Sequence, residues 1–325
     1  MEKLTGGALT QVMFLLKKRG IFSLIWRIVF FILNRTKNLF DILNCFFYKN
    51  GVIPVNGSLM KLNPRDKGLS KDLRLYKKRE HFSTDFMKEF IKEDDIIIDI
   101  GANIGYYALL EAKLAKKGRV YAIEPVPESR KILEENIKLN GYNNISVYPY
   151  AISNKNGTNK MYVYDKKNWS SFIKNSSWKI VQEVQTNTIK LDDFIRYCIN
   201  KKPQVIRMDT EGHEYEIISG MQKTLDSKIP LKLFIEFHPK FMSTEKIEKI
   251  IYILKRAGVR VKRIFIESTP SNYNNLKIFN KLNKKMGFLE FGEFKETNLD
   301  SLKTILLKGH INGMFYFPEV FLERS

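Results

Sequence analysis

The sequence predicts an α/β protein with a mostly parallel sheet covered by helices on both faces. Three observations predict it. From residue 95 onward, short β-branched runs alternate with segments of helical period. The first of these runs, Ile96–Ile100, passes directly into a glycine loop, Gly101-Ala102-Asn103-Ile104-Gly105. Apolar residues make up 44% of the 325, enough to cover a large sheet on both sides.

Residues 1–60 differ from the 61–325 that follow, and are expected to form an apolar, basic, helical region. They contain eight Lys/Arg against two acids, and the stretch 21–34 (IFSLIWRIVFFILN) is strongly apolar. Its uninterrupted apolar run, Ile28–Leu33, is far short of the ~20 residues a spanning helix requires. No small-residue cleavage site follows, so a secretory signal is not expected. Two arrangements remain open. Residues 12–47 lie as an amphipathic helix on an anionic membrane surface, or they pack on the core or on another subunit of a homo-oligomer.

Pro54, Gly57, Pro64 and Gly68 punctuate a connecting layer, and Ser83-Thr84-Asp85 precedes a helical pattern with Phe86, Phe90 and Ile91 apolar. The alternation then runs in order. Strands are expected at 96–100, 120–123, 145–150, 205–208, 231–237, 261–266 and 313–317. Helices are expected at 106–115, 127–140, 191–198, 214–225 and 246–257, and two added strands at 160–164 and 178–189. The Lys/Asn-rich stretch 268–311 reads as an insertion before the last strand. No internal repeat is visible.

The glycine loop is the first candidate site. Gly101 and Gly105 permit a tight turn and close approach of backbone to a ligand, and the next helix offers free N–H groups at its start. Glu124 closes the second strand 19 residues beyond Gly105, where an acid can accept both hydroxyls of an adenosine ribose. These features alone also suit a nicotinamide-dependent oxidoreductase. Two details argue otherwise. The spacing is GxxxG, with Asn103 where a dinucleotide loop has glycine. Asp99 stands two before the first glycine, where a carboxylate is unfavourable beside a pyrophosphate and favourable beside an ammonium. S-adenosyl-L-methionine carries that ammonium, a sulfonium and an adenosine. On this basis the loop holds the cofactor's carboxylate and Asp99 its positive groups. Asp99→Ala is then expected to abolish cofactor binding.

A second cluster follows the 205–208 strand: Asp209-Thr210-Glu211-Gly212-His213-Glu214. The 231–237 strand ends at Glu236-Phe237-His238-Pro239. Ligands of open α/β sheets sit outside the carboxyl ends of the strands, so both ends face one edge. Acids are also common in the first turn of a helix. Asp209 is the leading active-site residue, with Glu211 and His238 beside it. Asp209, Glu211, Glu236 and His238 could ligate a hard divalent ion, but no spacing demands one, and no metal is expected.

The formal charge is +20, which suits anionic partners. It is not concentrated: Lys and Arg outnumber acids 18 to 9 over residues 1–94 and 37 to 26 over the rest. Dispersed lysines of this kind argue against a dedicated nucleic-acid surface. Cys45 and Cys198 are the only cysteines, so a disulfide framework is unsupported and a reducing, cytoplasmic setting fits better, with or without membrane-surface contact.

Together, DIGANIG (99–105), AIEPVPES (122–129), ENIKLN (135–140), YAIS (150–153), LDDF (191–194), IRMDTEGHEYEIISGM (206–221) and IEFHP (235–239) resemble the FkbM-type methyltransferases over about residues 80–240. The resemblance implies a class I, Rossmann-like three-layer sandwich, its seven-stranded sheet mostly parallel with an antiparallel last strand. It implies S-adenosylmethionine as cofactor and methylation of a hydroxyl oxygen on a sugar, a glycan or a natural product. Asp99, Gly101, Ala102, Asn103, Gly105, Glu124, Pro125, Ala151 and Asp209 would contact the cofactor, with Asn140 and residues 151–153 on its adenine side. Asp209 and Glu211 would line the reaction centre, and residues 168–171 a substrate-side loop; His238, from the strand end at 235–239, is the further catalytic candidate beside them. His213 stands where the family more often has a small residue.

The expected chemistry is in-line methyl transfer, aided by a base drawn from Asp209, His238 and His213 in that order. Ribose methylation of RNA is the main competitor. Base N-methylation is disfavoured because Asp-Thr-Glu-Gly stands where such enzymes carry an Asn/Asp-Pro-Pro loop. A non-enzymatic membrane-surface protein is a third alternative.

Overall fold

The computed structural model describes residues 51–63, 66, 68–165, 170–176, 178–266, 292–294, 298–311 and 317–324. The expected N-terminal helix, the 12–47 membrane contact and most of the 268–311 stretch lie outside these residues. Among the described residues no helix is long and apolar enough to cross a membrane.

A hairpin of β1 (Val52–Val55) and β2 (Ser58–Lys61) opens the described chain, followed by helices α1 (Leu69–Tyr76) and α2 (His81–Phe90). Next come β3 (Ile96–Ile100), α3 (Tyr106–Leu114), β4 (Arg119–Ile123), α4 (Pro127–Asn140) and β5 (Ile145–Tyr148). Four strands then build a separate sheet: β6 (Tyr150–Ser153), β7 (Gly157–Tyr164), β8 (Ser170–Ser171) and β9 (Ile180–Lys190). The chain returns through α5 (Leu191–Phe194), β10 (Val205–Met208), α6 (Glu214–Ser219), α7 (Gln222–Asp226) and β11 (Leu231–Glu236). It finishes with α8 (Thr244–Arg256), β12 (Arg260–Ile266), β13 (Gly292–Phe294), α9 (Leu299–Ile311) and β14 (Pro318–Arg324).

The main sheet has the order β13-β12-β14-β11-β10-β3-β4-β5. Strands β5, β4, β3, β10 and β11 are mutually parallel, and β14 runs antiparallel between β11 and β12. Seven strands thus form a mostly parallel sheet with an antiparallel last strand, and β13 adds a short antiparallel edge. A doubly wound dinucleotide fold has six parallel strands ordered 3-2-1-4-5-6, with no such inserted strand.

Local sequence explains the elements. Buried on both faces, β3 and β10 need continuous apolar residues, and IIID and VIRM supply them apart from Asp99 and Arg207. Pro127 opens α4 and Gly141 closes it in the left-handed conformation. Ser243 caps α8 by accepting from the Lys246 amide at 3.3 Å, and Ile247, Ile250, Ile251 and Leu254 bury one face of that helix. Phe321 of β14 stacks on Phe234 at 4.1 Å and meets Phe86 and Phe90 edge-on, which fastens α2 to the sheet.

Several elements differ from the sequence expectation. The single strand expected at 145–150 is two, because Pro149 cannot donate to a ladder; β5 stays in the main sheet and β6 joins the second. The helix expected at 191–198 is helical only to Phe194 and continues as a wider π turn over Ile195–Ile199. The helix expected at 214–225 is two, α6 and α7, separated at Gly220, where a Cβ would stand 2.1 Å from the Ser153 carbonyl oxygen. The last strand is Pro318–Arg324; of the expected 313–317 strand, residues 313–316 lie outside the described residues.

Candidate active site

The carboxyl ends of β3, β4 and β10 meet over one cavity. The loop after β3 and the end of β10 touch directly: Asp209 donates its amide to the Ile100 carbonyl at 3.1 Å. Gly101 has φ +81°, and a Cβ there would lie 2.0 Å from the Asp209 carbonyl oxygen, so only glycine lets the two segments approach. The amides of Gly101 and Ala102 both donate to the Ile123 carbonyl, at 3.0 and 3.1 Å.

Of the expected cofactor contacts, Gly101, Asn103, Glu124, Pro125, Ala151 and Asp209 line this cavity together. Ala102 lines a second cavity, which shares Gly101, Asn103, Asp209 and Glu211 with the first. Gly105 lines neither; it starts α3 at φ +97° against Leu133. Asp99 also lines neither. Its side chain is fully buried and bonds Arg207 of β10, Nη1 to Oδ1, at 2.9 Å. Asn140 is placed elsewhere: it exchanges two 2.7 Å hydrogen bonds with the backbone of Leu59, and with Asn136 it docks the hairpin on α4.

Glu124 is buried and accepts from two amides at 2.8 Å, Asn103 on one oxygen and Val126 on the other. Burial pushes its carboxyl up to about 7, against the pull of those amides and of Arg130. Ile123, Pro125, Ile152, Met161 and Phe172 give the neighbouring wall an apolar character.

Asp209, Glu211 and His238 do come together, with ligand-type atoms all within 4.8 Å of one another. His238 Nε2 stands 3.3 Å from Glu211 and 4.0 Å from Asp209. Its Nδ1 bonds the fully buried Glu214 at 2.9 Å, and the same Glu214 oxygen accepts from the Gly212 amide at 3.0 Å and the Thr210 hydroxyl at 3.2 Å. Burial opposes a charged imidazole, yet Glu211 and Glu214 hold His238 well above the ordinary range. Burial raises Glu211 to about 7, even with His238 beside it. Burial also works against a charged Asp209, but Arg207 and His238 outweigh it and hold that carboxyl below its usual value. Glu236 falls instead into a neighbouring carboxylate group with Glu80 and Glu319. Either group has donors suited to a hard cation, but Arg79, Arg207 and His238 already supply positive charge to these acids.

His213 lines the first cavity, largely buried, with Nε2 at 2.9 Å from the Ser153 hydroxyl and its ring against Phe172. Of the expected substrate-side loop, Ser170 lines the cavity and 168–169 lie outside the described residues. Sequence reasoning did not single out Arg207, Arg79 or Glu80. Arg207 became significant only once the strand register set it opposite Asp99. In sequence, Glu214 is indistinguishable from an acid in an ordinary first helical turn.

The residues present suit S-adenosyl-L-methionine: a cradle that a Cβ would fill, an acid closing β4, an apolar wall for a purine, and carboxylates beside the place of a sulfonium. With the inserted antiparallel strand, they define a class I, Rossmann-like methyltransferase, and S-adenosyl-L-methionine is its cofactor. The chain belongs to the FkbM methyltransferase family, since the Methyltransferase FkbM domain matches residues 99–261. It is 30% identical over 141 residues to the hexuronic acid methyltransferase AglP of Haloferax volcanii, covering 43% of this chain and 55% of that protein. It is 23% identical over 180 residues to the 2-O-methyltransferase NoeI of Sinorhizobium fredii, covering 46% and 73%. Among solved structures it is similar to an FkbM methyltransferase of Methylobacillus flagellatus, with 19% identity, a TM-score of 0.37, and coverage of 53% of this chain and 40% of that one.

Proposed function

We propose that the protein transfers a methyl group from S-adenosyl-L-methionine to a hydroxyl oxygen of a sugar or glycan. The observation that supports it most is the shared cavity edge. Gly101, Asn103 and Glu124, suited to the cofactor, border the same space as Asp209 and Glu211, suited to an acceptor hydroxyl. Two relatives named for a hexuronic acid and for 2-O-methylation favour a sugar acceptor.

The cofactor supplies a methyl group already activated on sulfonium, so the chain's task is to align donor and acceptor. Glu124 accepts the ribose hydroxyls, and Ile123, Pro125, Ile152 and Met161 exclude water from the adenine side. Asp209, kept ionised by Arg207, orients the acceptor hydroxyl by accepting its hydrogen bond. Glu211, with a proton affinity near neutrality, takes the proton released as oxygen gains the methyl group. His238 is held protonated by Glu211 and Glu214, so its part is to position Glu211 and balance its charge. On this reading the base is Glu211, ahead of Asp209, His238 and His213.

The test is transfer of labelled methyl from S-adenosylmethionine by purified protein into separated glycan, lipid, RNA and protein fractions. Label in glycan that survives mild alkali, as an ether does, is the expected result. Label confined to RNA or protein, or released by alkali as from an ester, contradicts the proposal.

A further inference from the structure

The second cavity lies on the far side of the glycine loop and contains an ion pair outside the segment matched by the FkbM domain. Arg79 Nε bonds Glu80 Oε1 at 2.8 Å, and among the described residues this is the only ion pair or hydrogen bond of its guanidinium. Both residues are held rigidly. The Tyr106 hydroxyl donates to the Arg79 carbonyl at 2.6 Å and accepts from the Arg79 amide at 2.9 Å; Thr84 donates to the same carbonyl at 2.8 Å. The Tyr107 hydroxyl donates to Glu80 Oε2 at 2.6 Å. These tyrosines are the first two residues of α3, directly after the loop, so loop and ion pair are built as one unit.

Backbone strain marks the same place. Three non-glycine residues with left-handed backbone, Glu80 (φ 48°), Asn103 (φ 51°) and Glu211 (φ 51°), all line this cavity. Such conformations are unfavourable for L residues and persist only where their surroundings enforce them.

The cavity therefore presents both signs of charge: an arginine with its Nη groups uncommitted, and the carboxylates of Glu80 and Asp209. That is the complement of a zwitterion. The loop's own groups are less available, because the Gly101 and Ala102 amides are bonded to Ile123, the Asn103 amide to Glu124, and Asp99 to Arg207.

We propose that Arg79 and Glu80 form the subsite for the amino-acid half of the cofactor. Arg79 takes its α-carboxylate through the planar guanidinium, and Glu80 with Asp209 takes its α-ammonium. The proposal rests on S-adenosylmethionine being the cofactor, and it moves the amino-acid contacts from Asp99 and the loop to residues ahead of the family domain.

The test is calorimetry with S-adenosylhomocysteine, which has the amino-acid half, and 5′-methylthioadenosine, which lacks it. Arg79→Met is expected to weaken S-adenosylhomocysteine at least about ten-fold while leaving 5′-methylthioadenosine unchanged, and Arg79→Lys to recover part of the loss. The wild-type protein is expected to bind decarboxylated S-adenosylmethionine about ten-fold more weakly than S-adenosylmethionine, a comparison that stands even if Arg79→Met does not fold. Equal loss of both nucleosides in Arg79→Met, or no wild-type preference for the carboxylate, overturns the subsite. A wild-type protein that binds neither nucleoside overturns the cofactor assignment beneath it.

Discussion

Asp99 of β3 and Arg207 of β10 are register partners in adjacent parallel strands, and their side chains meet at 2.9 Å in the fully buried centre of the sheet. Arg207 extends past that pair to Asp209 at 3.3 Å and sits over the Tyr107 ring, its guanidinium carbon 4.0 Å from the ring centre. One guanidinium thus joins the two acids that the sequence placed separately, one at the loop and one at the reaction edge.

Removing that guanidinium strands the fully buried Asp99 and leaves the partly buried Asp209 with one cation fewer. Arg207→Met is expected to cost about 3–5 kcal/mol of stability, the range for breaking one side of a buried ion pair. Urea unfolding checks this. Asp99→Asn keeps shape and a hydrogen-bond acceptor, so it is expected to cost less. Asp99→Ala is then expected to lose stability first and affinity as a consequence; a fully stable Asp99→Ala that binds no cofactor would favour direct contact instead.

Gly101→Ala places a methyl group 2.0 Å from the Asp209 carbonyl at a φ that L residues rarely adopt. Loop and β10 must separate. The expected result is a lower melting temperature together with at least ten-fold weaker S-adenosylhomocysteine binding, about 1.4 kcal/mol. Gly141→Ala, with nothing within 4 Å of its Cβ, supplies a comparison in which only backbone strain is added and binding is kept.

The acids predict the pH dependence of stability. Glu124 and Glu211 have folded values of about 7 against an ordinary 4.5, so between those limits the folded protein holds more protons than the unfolded chain. Stability therefore falls as pH rises from about 5 to 7, by at most about 1.4 kcal/mol per pH unit for each group. Thermal melts across that window are expected to show the decline, and Glu211→Gln to flatten it.

Activity runs the other way. If Glu211 accepts the hydroxyl proton, turnover rises with pH through about 7. Glu211→Gln is expected to lower kcat by about 10²–10⁴-fold and to remove that rise, while S-adenosylhomocysteine affinity is retained. A Glu211→Gln variant with the wild-type pH profile would move the base to Asp209.

The parallel sheet was legible because β-branched runs buried on both faces have few other uses. The glycine loop was legible because close backbone approach requires glycine at Gly101. What stayed hidden depends on contacts across long sequence gaps. Arg207 reads as an interruption in an apolar strand until β3 lies beside it, and 108 positions separate it from Asp99. Arg79 and Glu80 sit among other charged residues in KKRE, and only the Tyr106 and Tyr107 hydroxyls, 27 residues on, distinguish them. Asp99 beside the glycines reads in sequence as a ligand acid, and its bond to Arg207 becomes visible only with β10 alongside.

We propose that the loop after β3 and Glu124 hold S-adenosylmethionine against the Asp209 edge. Calorimetric titration of S-adenosylhomocysteine into the wild-type protein and Glu124→Ala tests it most directly. The expected result is one site per chain in the wild type and affinity lower by about ten-fold or more in the variant, whose ribose hydroxyls lose a buried acceptor. A wild-type protein without a saturable site, or a Glu124→Ala variant of unchanged affinity, would contradict it.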